Sequence, residues 1–321
     1  MDEIKVPVTV VLAGGERPMA EVIGLLGRLE PGLVAALPRG WARPAGTAAI
    51  EVSQAVGPRT PGCPCCAVRV DVRTVVGRLL ARRHPPPAVV VGAGPADAAP
   101  PLLSPLLCDP WLTRRSALGP VVAALDGPEA AVRLRTGGEA VSGAIAAEHV
   151  ALADVLAVTR AAELTAGALA EVRAALAERN PFSPVWLAGQ EALPAWPASG
   201  DAWALTAVAA RLDSIEVPPG STPWTALFDI EGQAPPEALR AWVSSAVRET
   251  AGALTRLQAV VPLTGGTSRW VCSAVGSYYC SGLGPPAPPG APPRARVLMA
   301  GHRLERSAAL EQLRDVLATQ A

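Results

Sequence analysis

The chain has 321 residues, 50% of them hydrophobic and 17% charged, with 28 basic residues against 28 acidic ones. That length suffices for roughly two domains with cores of their own, and the composition excludes a disordered chain. The balanced charge supplies no overall field for nucleic acid or an anionic membrane, and no apolar run reaches the ~18–20 residues of a membrane-spanning helix; the nearest, Ala88–Leu107, is broken by Asp97 and several prolines.

In chain order, Val6–Leu12 (VPVTVVL) is a β-branched run that predicts a buried strand, and Met19, Val22, Ile23, Leu26 and Leu29 follow at helical spacing. The acids at Asp2 and Glu3 just before this strand make a poor signal peptide, so a cytoplasmic protein with reduced thiols is expected. Val72–Arg83 reads as a helix with basic residues at its end, Ala88–Val91 as a strand, Leu118–Leu125 and Val155–Thr159 as further buried strands, and Glu163–Arg179 and Asp201–Leu212 as helices. Strands alternating with helices predict βαβ units and a mainly parallel sheet with helices on both faces.

The pattern changes after Glu216–Pro223 (EVPPGSTP), which has the composition of a linker. A strand Thr225–Ile230, a helix Pro235–Thr250, strands near Leu257–Leu263, Arg269–Val275 and Arg296–Ala300, and a helix Ser307–Ala318 predict a smaller α+β domain. The expected domains are thus 1–215 and 224–321, with 216–223 between them. Gly284–Ala295 reads as an exposed proline-rich loop between the last two strands. Trp242 and Trp270, inside this second domain, are expected to be core aromatics.

Three of the six cysteines, Cys63, Cys65 and Cys66, fall within Thr60–Asp71 (TPGCPCCAVRVD). Three thiolates on one turn, stiffened by Pro64, are a soft donor set for Zn²⁺ or a related ion. A closed structural zinc site takes four ligands, so a lone CxCC implies an open or partner-completed site. The alternative is a group of small buried hydrophobes. Glu51, a water, a partner side chain, Cys108, Cys272 or Cys280 are the candidates for a fourth ligand; Cys272 and Cys280 read as able to face each other on a sheet, although free cysteines on apolar stretches are usually core residues. His84, His149 and His302 are isolated, in helix-ending, helical-face and turn contexts, and each reads as solvated or capping rather than as a ligand. With histidines so placed, no Ser/His/Asp or Cys/His constellation can be drawn, and no catalytic residue is assigned.

The run GCPCCAVRVDV resembles the GC-x-CC-[ST]-[LVI]-R-x-DL signature of the CobW family of P-loop GTPase metallochaperones, through Gly62, Cys63, Cys65, Cys66, Val68, Arg69 and Asp71, departing at Ala67. Val6–Leu26 is similar to the family's first strand, P-loop and helix; Val89–Pro100 to its E-[ST]-[ST]-G-x-ADP-x-P segment; Ala153–Leu164 to its AD-x-hydrophobic-NKxDL segment; and residues 223–318 to its C-terminal domain. The resemblance implies a P-loop-NTPase-like domain followed by a small α+β domain, with a metal held at Cys63, Cys65 and Cys66. Many members carry a glutamate five residues before the first cysteine; here that residue is Pro58.

The nucleotide motifs have been lost. A GxxxxGK[ST] loop needs glycines so that its amides wrap the phosphates, a lysine to reach them and a hydroxyl for Mg²⁺. In the same register this chain has Glu16, Arg17, Pro18, Met19 and Ala20, with Met19 at the lysine and Ala20 at the hydroxyl position. Pro18 removes an amide donor, and Glu16 adds negative charge beside a triphosphate. Val91 stands at the acidic residue of the second core strand, and Thr159, Arg160, Ala161 and Ala162 replace NKxD. Asp97 keeps the family's ADxxP aspartate and is expected to stabilise the turn after its strand. The expectation is a pseudo-GTPase without GTP–Mg²⁺ that handles zinc or a similar divalent ion through the thiolates. The alternatives are an adaptor that docks a macromolecule such as a ribosome or an active GTPase, with structural cysteines, and a residual GTPase completed in trans.

Overall fold

The computed structural model describes residues 5–52, 64–95, 97–135, 145–192, 203–215, 220–221, 225–249, 254–287, 289–290, 292–301 and 308–318; at 51–52, 64–71, 220–221, 249 and 308 it describes the backbone alone. It divides into two compact units, Met1–Ala202 and Trp203–Ala321.

The first unit is built on a parallel sheet of β1 (Val6–Ala13), β2 (Val34–Pro38), β3 (Ala48–Val52), β4 (Val89–Ala93), β5 (Ser116–Asp126), β6 (Val155–Thr159) and β7 (Val185–Leu187), in the order β3-β2-β4-β1-β5-β6-β7. Its helices are α1 (Glu16–Leu29), α2 (Pro64–Leu80), α3 (Ala99–Cys108), α4 (Pro110–Arg115), α5 (Gly127–Arg135), α6 (Ala147–Leu152) and α7 (Ala166–Arg179). The central strands are near-continuous Val, Ala and Leu because both faces are covered. Alternate residues of β5 and β6 sort into two clusters: Val122, Ala124, Val155 and Ala157 pack with α1, while Ala123, Leu125, Leu156 and Val158 pack with α5 and α7.

The short strands β2 and β3 were not predicted, since VAALP and AAIEV are brief and carry little periodicity. Helix α2 begins at Pro64 rather than Val72, so Cys65 and Cys66 occupy its first turn instead of a free-standing tight turn. A proline at the first helical position is pre-organised for a helix start and gives up only an amide that would be unpaired there.

In the second unit, β8 (Gly220–Ser221), β9 (Thr225–Glu231), β10 (Leu254–Pro262), β11 (Arg269–Val275), β12 (Tyr278–Gly284) and β13 (Arg294–Gly301) form an antiparallel sheet ordered β12-β11-β10-β13-β9-β8. Three helices accompany it: α8 (Leu205–Ser214), α9 (Pro236–Glu249) and α10 (Ala308–Ala318). One face is sealed by α9 and α10 in an apolar core where Trp242 and Trp270 meet edge to face at 6.3 Å and 65°, and Trp242 Nε1 donates to the Ala309 carbonyl at 2.6 Å. The expected core aromatics are therefore found. Helix α8 lies on β10, β11, β12 and β13, so the helix placed in the first domain from sequence packs within the second unit, ahead of the linker-like segment. Arg269 reaches both carboxylate oxygens of Asp213 at 2.8 and 2.9 Å, and Arg296 donates to the carbonyls of Leu212 and Ile215 at the helix end, where positive charge is favoured. The strand β12 was not anticipated. It sets Ser273 opposite Cys280 and Cys272 opposite Ser281, so the two cysteines project from opposite faces and do not face each other.

Asn180 is a buried anchor in the first unit: its amide nitrogen donates to the carbonyls of Val150, Ala153 and Ala151 at 2.8, 3.2 and 3.3 Å, and its Oδ1 accepts from Phe182 N. Asn180→Ala strands the carbonyls at the end of α6, and the expected loss is about 2–3 kcal/mol, read as a lower urea midpoint for the first unit.

Candidate functional site

Because the first sheet is parallel, the ends of β1, β4, β5 and β6 share one edge, the place where open α/β sheets hold ligands. The residues in register with the family's nucleotide motifs gather there. Only Gly14 and Gly15 separate β1 from α1, and Met19 N donates to Gly15 O at 3.3 Å in an ordinary helical bond. The helix thus begins three residues earlier than the sequence predicts, and Glu16, Arg17 and Pro18 form its first turn instead of a loop. With no glycine among Glu16, Arg17 and Pro18 to hold a loop open, an acidic residue near the positive end of the helix and a proline inside its first turn favour that start.

Met19 is 1% exposed and packs in the core of β1, β2 and α1. A Cβ on Gly92 would stand 3.0 Å from its Sδ and Cε and from Leu37 Cδ2, so a larger residue at that point of β4 would make these side-chain ends shift. Further along, a Cβ on Gly94 would stand 2.9 Å from the Trp41 ring. Glu16 accepts from Ala42 N, which ties the segment after β2 to the first turn of α1. Val91, where an acid was lost, is buried within β4. As expected, Asp97 closes the turn after that strand: its Oδ2 accepts from Gly94 N at 2.7 Å, and its own N–H donates to Gly94 O.

The segment that resembles NKxD forms an ion-pair cluster. Thr159, fully buried, donates to Leu125 O at 3.1 Å. Arg160 follows with φ 53°, the sole non-glycine residue in the left-handed region among the described residues. Its guanidinium donates to Asp126 Oδ2 at 2.9 Å and to both carboxylate oxygens of Glu163, and its N–H points to Glu21 Oε1 at 3.4 Å. The hydrogen bonds to Glu163 and then to Asp126 hold the Arg160 pKa up, and the Arg160 hydrogen bond in turn holds the Glu163 carboxyl below its ordinary value, with Arg17 adding to the effect. Ala161 is buried and opens a single 3₁₀ turn, Ala161–Glu163, that also contains Ala162. The Arg160–Glu163 spacing was visible in the sequence; the Asp126 partner was not, because it arrives through the β5–β6 register that sets Asp126 beside Thr159.

Of the metal candidates, Cys63 and Pro58 lie outside the described residues, as does His302. Cys65 and Cys66 stand in the first turn of α2, Glu51 on β3 beside Leu37, and Cys108 at the end of α3. Cys272 is buried in the apolar core of the second unit, as a core cysteine. Among the described residues no group of three or more His, Cys, Asp or Glu side chains is placed to hold a metal, and no helix is long and apolar enough to cross a membrane. His84 is exposed after α2, whereas His149 corrects its expected solvated role: it is 1% exposed. Its Nε2 donates to Asp97 O at 2.7 Å, leaving Nδ1 buried without a partner.

Burial lowers the His149 pKa, against a smaller raising by the Asp97 carbonyl. The unfolded chain therefore takes up this proton first as the pH falls, and stability is lost below the ordinary histidine value of about 6.5. Burial raises the neighbouring Glu148, which acts in the opposite sense at lower pH. His149→Gln keeps a donor toward Asp97 and the Glu148 effect, so its urea midpoint is expected to fall less than that of the parent between pH 7.5 and pH 5.5.

A sequence model described as the CobW/HypB/UreG nucleotide-binding domain matches residues 50–186, the stretch from β3 to β7, and leaves out the β1–α1 segment. No curated protein matches significantly. Among solved structures, the Zn(II)-bound YjiA GTPase from E. coli superposes with a TM-score of 0.66 at 13% identity, over 98% of this chain and 99% of that one. A Zn(II)-bound triple mutant of YjiA, with one glutamate and two cysteines changed to alanine, gives 0.65 at 13% identity, over 98% of both chains. The two-unit fold is thus that of the YjiA structures, and residues 50–186 of the first unit match the nucleotide-binding domain of the CobW/HypB/UreG family.

Proposed function

We propose that this chain is a CobW-like metal-handling protein that works without GTP, holding Zn²⁺ or a related ion through Cys63, Cys65 and Cys66 in a reducing, cytoplasmic setting. The observation that carries the reading is Met19: the position of the phosphate-binding lysine is a buried thioether against Gly92. Three features argue against nucleotide at this edge. The amides that would wrap phosphates belong to a helix, Glu16 places a carboxylate there, and Arg160 is engaged with Asp126 and Glu163. The donor set of the thiolates does fit zinc: cysteine sulfur is a soft ligand, and the loss of its proton on binding makes the affinity fall with pH. In a CobW protein, a motif kept beside destroyed nucleotide motifs supports metal rather than hydrolysis as the retained chemistry. The zinc in the YjiA structures is consistent with this chemistry.

Native mass spectrometry of the reduced full chain with Zn²⁺ and with GTP–Mg²⁺ in parallel tests the reading. One zinc per chain, lost in Cys65→Ser, with no bound nucleotide is the expected result. Bound nucleotide restores the family's GTP-driven scheme, with hydrolysis completed in trans as one form of it, and binding of neither ligand moves the assignment to an adaptor.

Met19→Lys is expected not to restore nucleotide binding, since the loop as well as the lysine is gone. It buries an ammonium at a 1% exposed position, at a cost of about 3 kcal/mol or more. A titration with a fluorescent GTP analogue and a urea melt of the same variant check both parts.

A further inference from the structure

Residues 64–115, from the start of α2 to the end of α4, hold seven arginines against three acids, Asp71, Asp97 and Asp109, so the rest of this balanced chain carries four more acids than bases. The positive charge concentrates where the two helices end. Arg78 lies in the last turn of α2 with Arg82 and Arg83 just beyond it, and Arg114 and Arg115 close α4. A cation at a helix end answers the negative pole of its carbonyls, but five arginines are more than two helix ends require. Strands β4 and β5 begin shortly after α2 and α4, so these arginines lie toward the edge where the strands of the first sheet start, across the sheet from Gly15 and Arg160.

The two helices pack against each other, and Arg73 of α2 pairs with Asp109, the N-cap of α4, at 2.7 Å. Trp111 joins their surfaces: a Cβ on Gly77 would stand 3.7 Å from its Cζ3, an ordinary contact distance, and the Arg115 guanidinium lies 4.5 Å from its ring centroid. The residue is still 38% exposed. Arg78, Arg82, Arg83 and Arg114 are exposed as well, and none of these four has an ion-pair partner among the described residues. Stacking on an indole occupies the flat face of a guanidinium and leaves its N–H groups pointing outward in plane, in the fork that meets a carboxylate with two hydrogen bonds. Arginines offer donors only, so what binds here brings negative acceptors. Two features favour protein carboxylates over nucleic-acid phosphates. Arg115 covers a face of Trp111 on which a base would stack, and a polyanion longer than the patch would run onto a chain whose remaining charge is negative.

We propose that the α2–α4 face is a docking surface for a short acidic segment of a partner protein, whose carboxylates are held by Arg78, Arg82, Arg114 and Arg115 while Trp111 offers an apolar contact beside them. The surface lies within the first unit and does not depend on the metal reading. Its attraction is electrostatic and exposed, so it steers encounter and weakens with salt.

Fluorescence anisotropy of the full chain with a fluorescein-labelled octaglutamate peptide, and in parallel with a labelled octathymidylate, tests the proposal at about 50 mM sodium chloride. The variants are Arg78→Glu with Arg82→Glu on α2, Arg114→Glu with Arg115→Glu on α4, and, as a control on the second unit, Arg240→Glu with Arg248→Glu on α9, where both arginines are also exposed. The parent is expected to bind octaglutamate, each patch variant to bind it about tenfold more weakly, and the control to stay within about twofold of the parent. If a reversed pair does not fold, the corresponding Arg→Gln pair decides, with weakening in the same direction. Equal weakening in the control is a general ionic attraction and overturns the proposal. So does a parent that binds no octaglutamate, and a parent that binds octathymidylate more tightly than octaglutamate assigns the face to nucleic acid instead.

Discussion

The packing of one thioether against one glycine organises the first unit. Met19 fills the space beside Gly92, and that contact needs α1 to begin immediately after Gly15, so that its fourth residue points into the core. A lysine here would have to leave the core for the sheet edge, and a longer loop would carry it there. The helix start, the missing cradle of amides and the bulk of Leu37 and Trp41 over β4 follow from this arrangement. Arg160 completes it at the neighbouring strand ends by joining Asp126 on β5 to Glu163, a bond between protein groups.

The two sheets illustrate different solutions to burial. The first is covered on both faces, and its strands are apolar throughout. The second has one face of Trp, Leu, Val and Ala under two helices and another where Arg256, Gln258, Ser273, Arg269 and Arg296 lie beneath or beside a single short helix. Helix α8 is fastened by directional bonds, Arg269 to Asp213 and Arg296 to the last carbonyls, and less by apolar area. Such fastening fixes the register of a helix well but contributes less stability per contact than a closed hydrophobic face.

Much of the fold was legible because the signals were strong and local. The buried runs of β1, β5 and β6, the helices α1, α7 and α9 and the change of pattern after residue 216 can be read from spacing alone, and the loss of Lys, Asp and hydroxyl at Met19, Ala162 and Ala20 is a matter of side-chain chemistry. The short strands β2, β3 and β12 carried too few residues for periodicity to speak. Whether Cys272 and Cys280 meet is decided by a register that shifts by one residue between faces, and His149 reads as a surface residue until the turn at Asp97 is brought over it. Contacts made through tertiary pairing leave no trace at sequence spacing.

The two-residue connection between β1 and α1 has a consequence for how such a protein is governed. A GTPase is a timer: the γ-phosphate holds one shape, and its loss, at a rate set by chemistry, releases another. A helix that runs straight out of its strand has no such spring. Under the function proposed above, a carrier of this build takes its direction from a ladder of affinities between donor, carrier and acceptor. Its pace is then set by encounter and dissociation, so supply and demand at its two ends replace the clock.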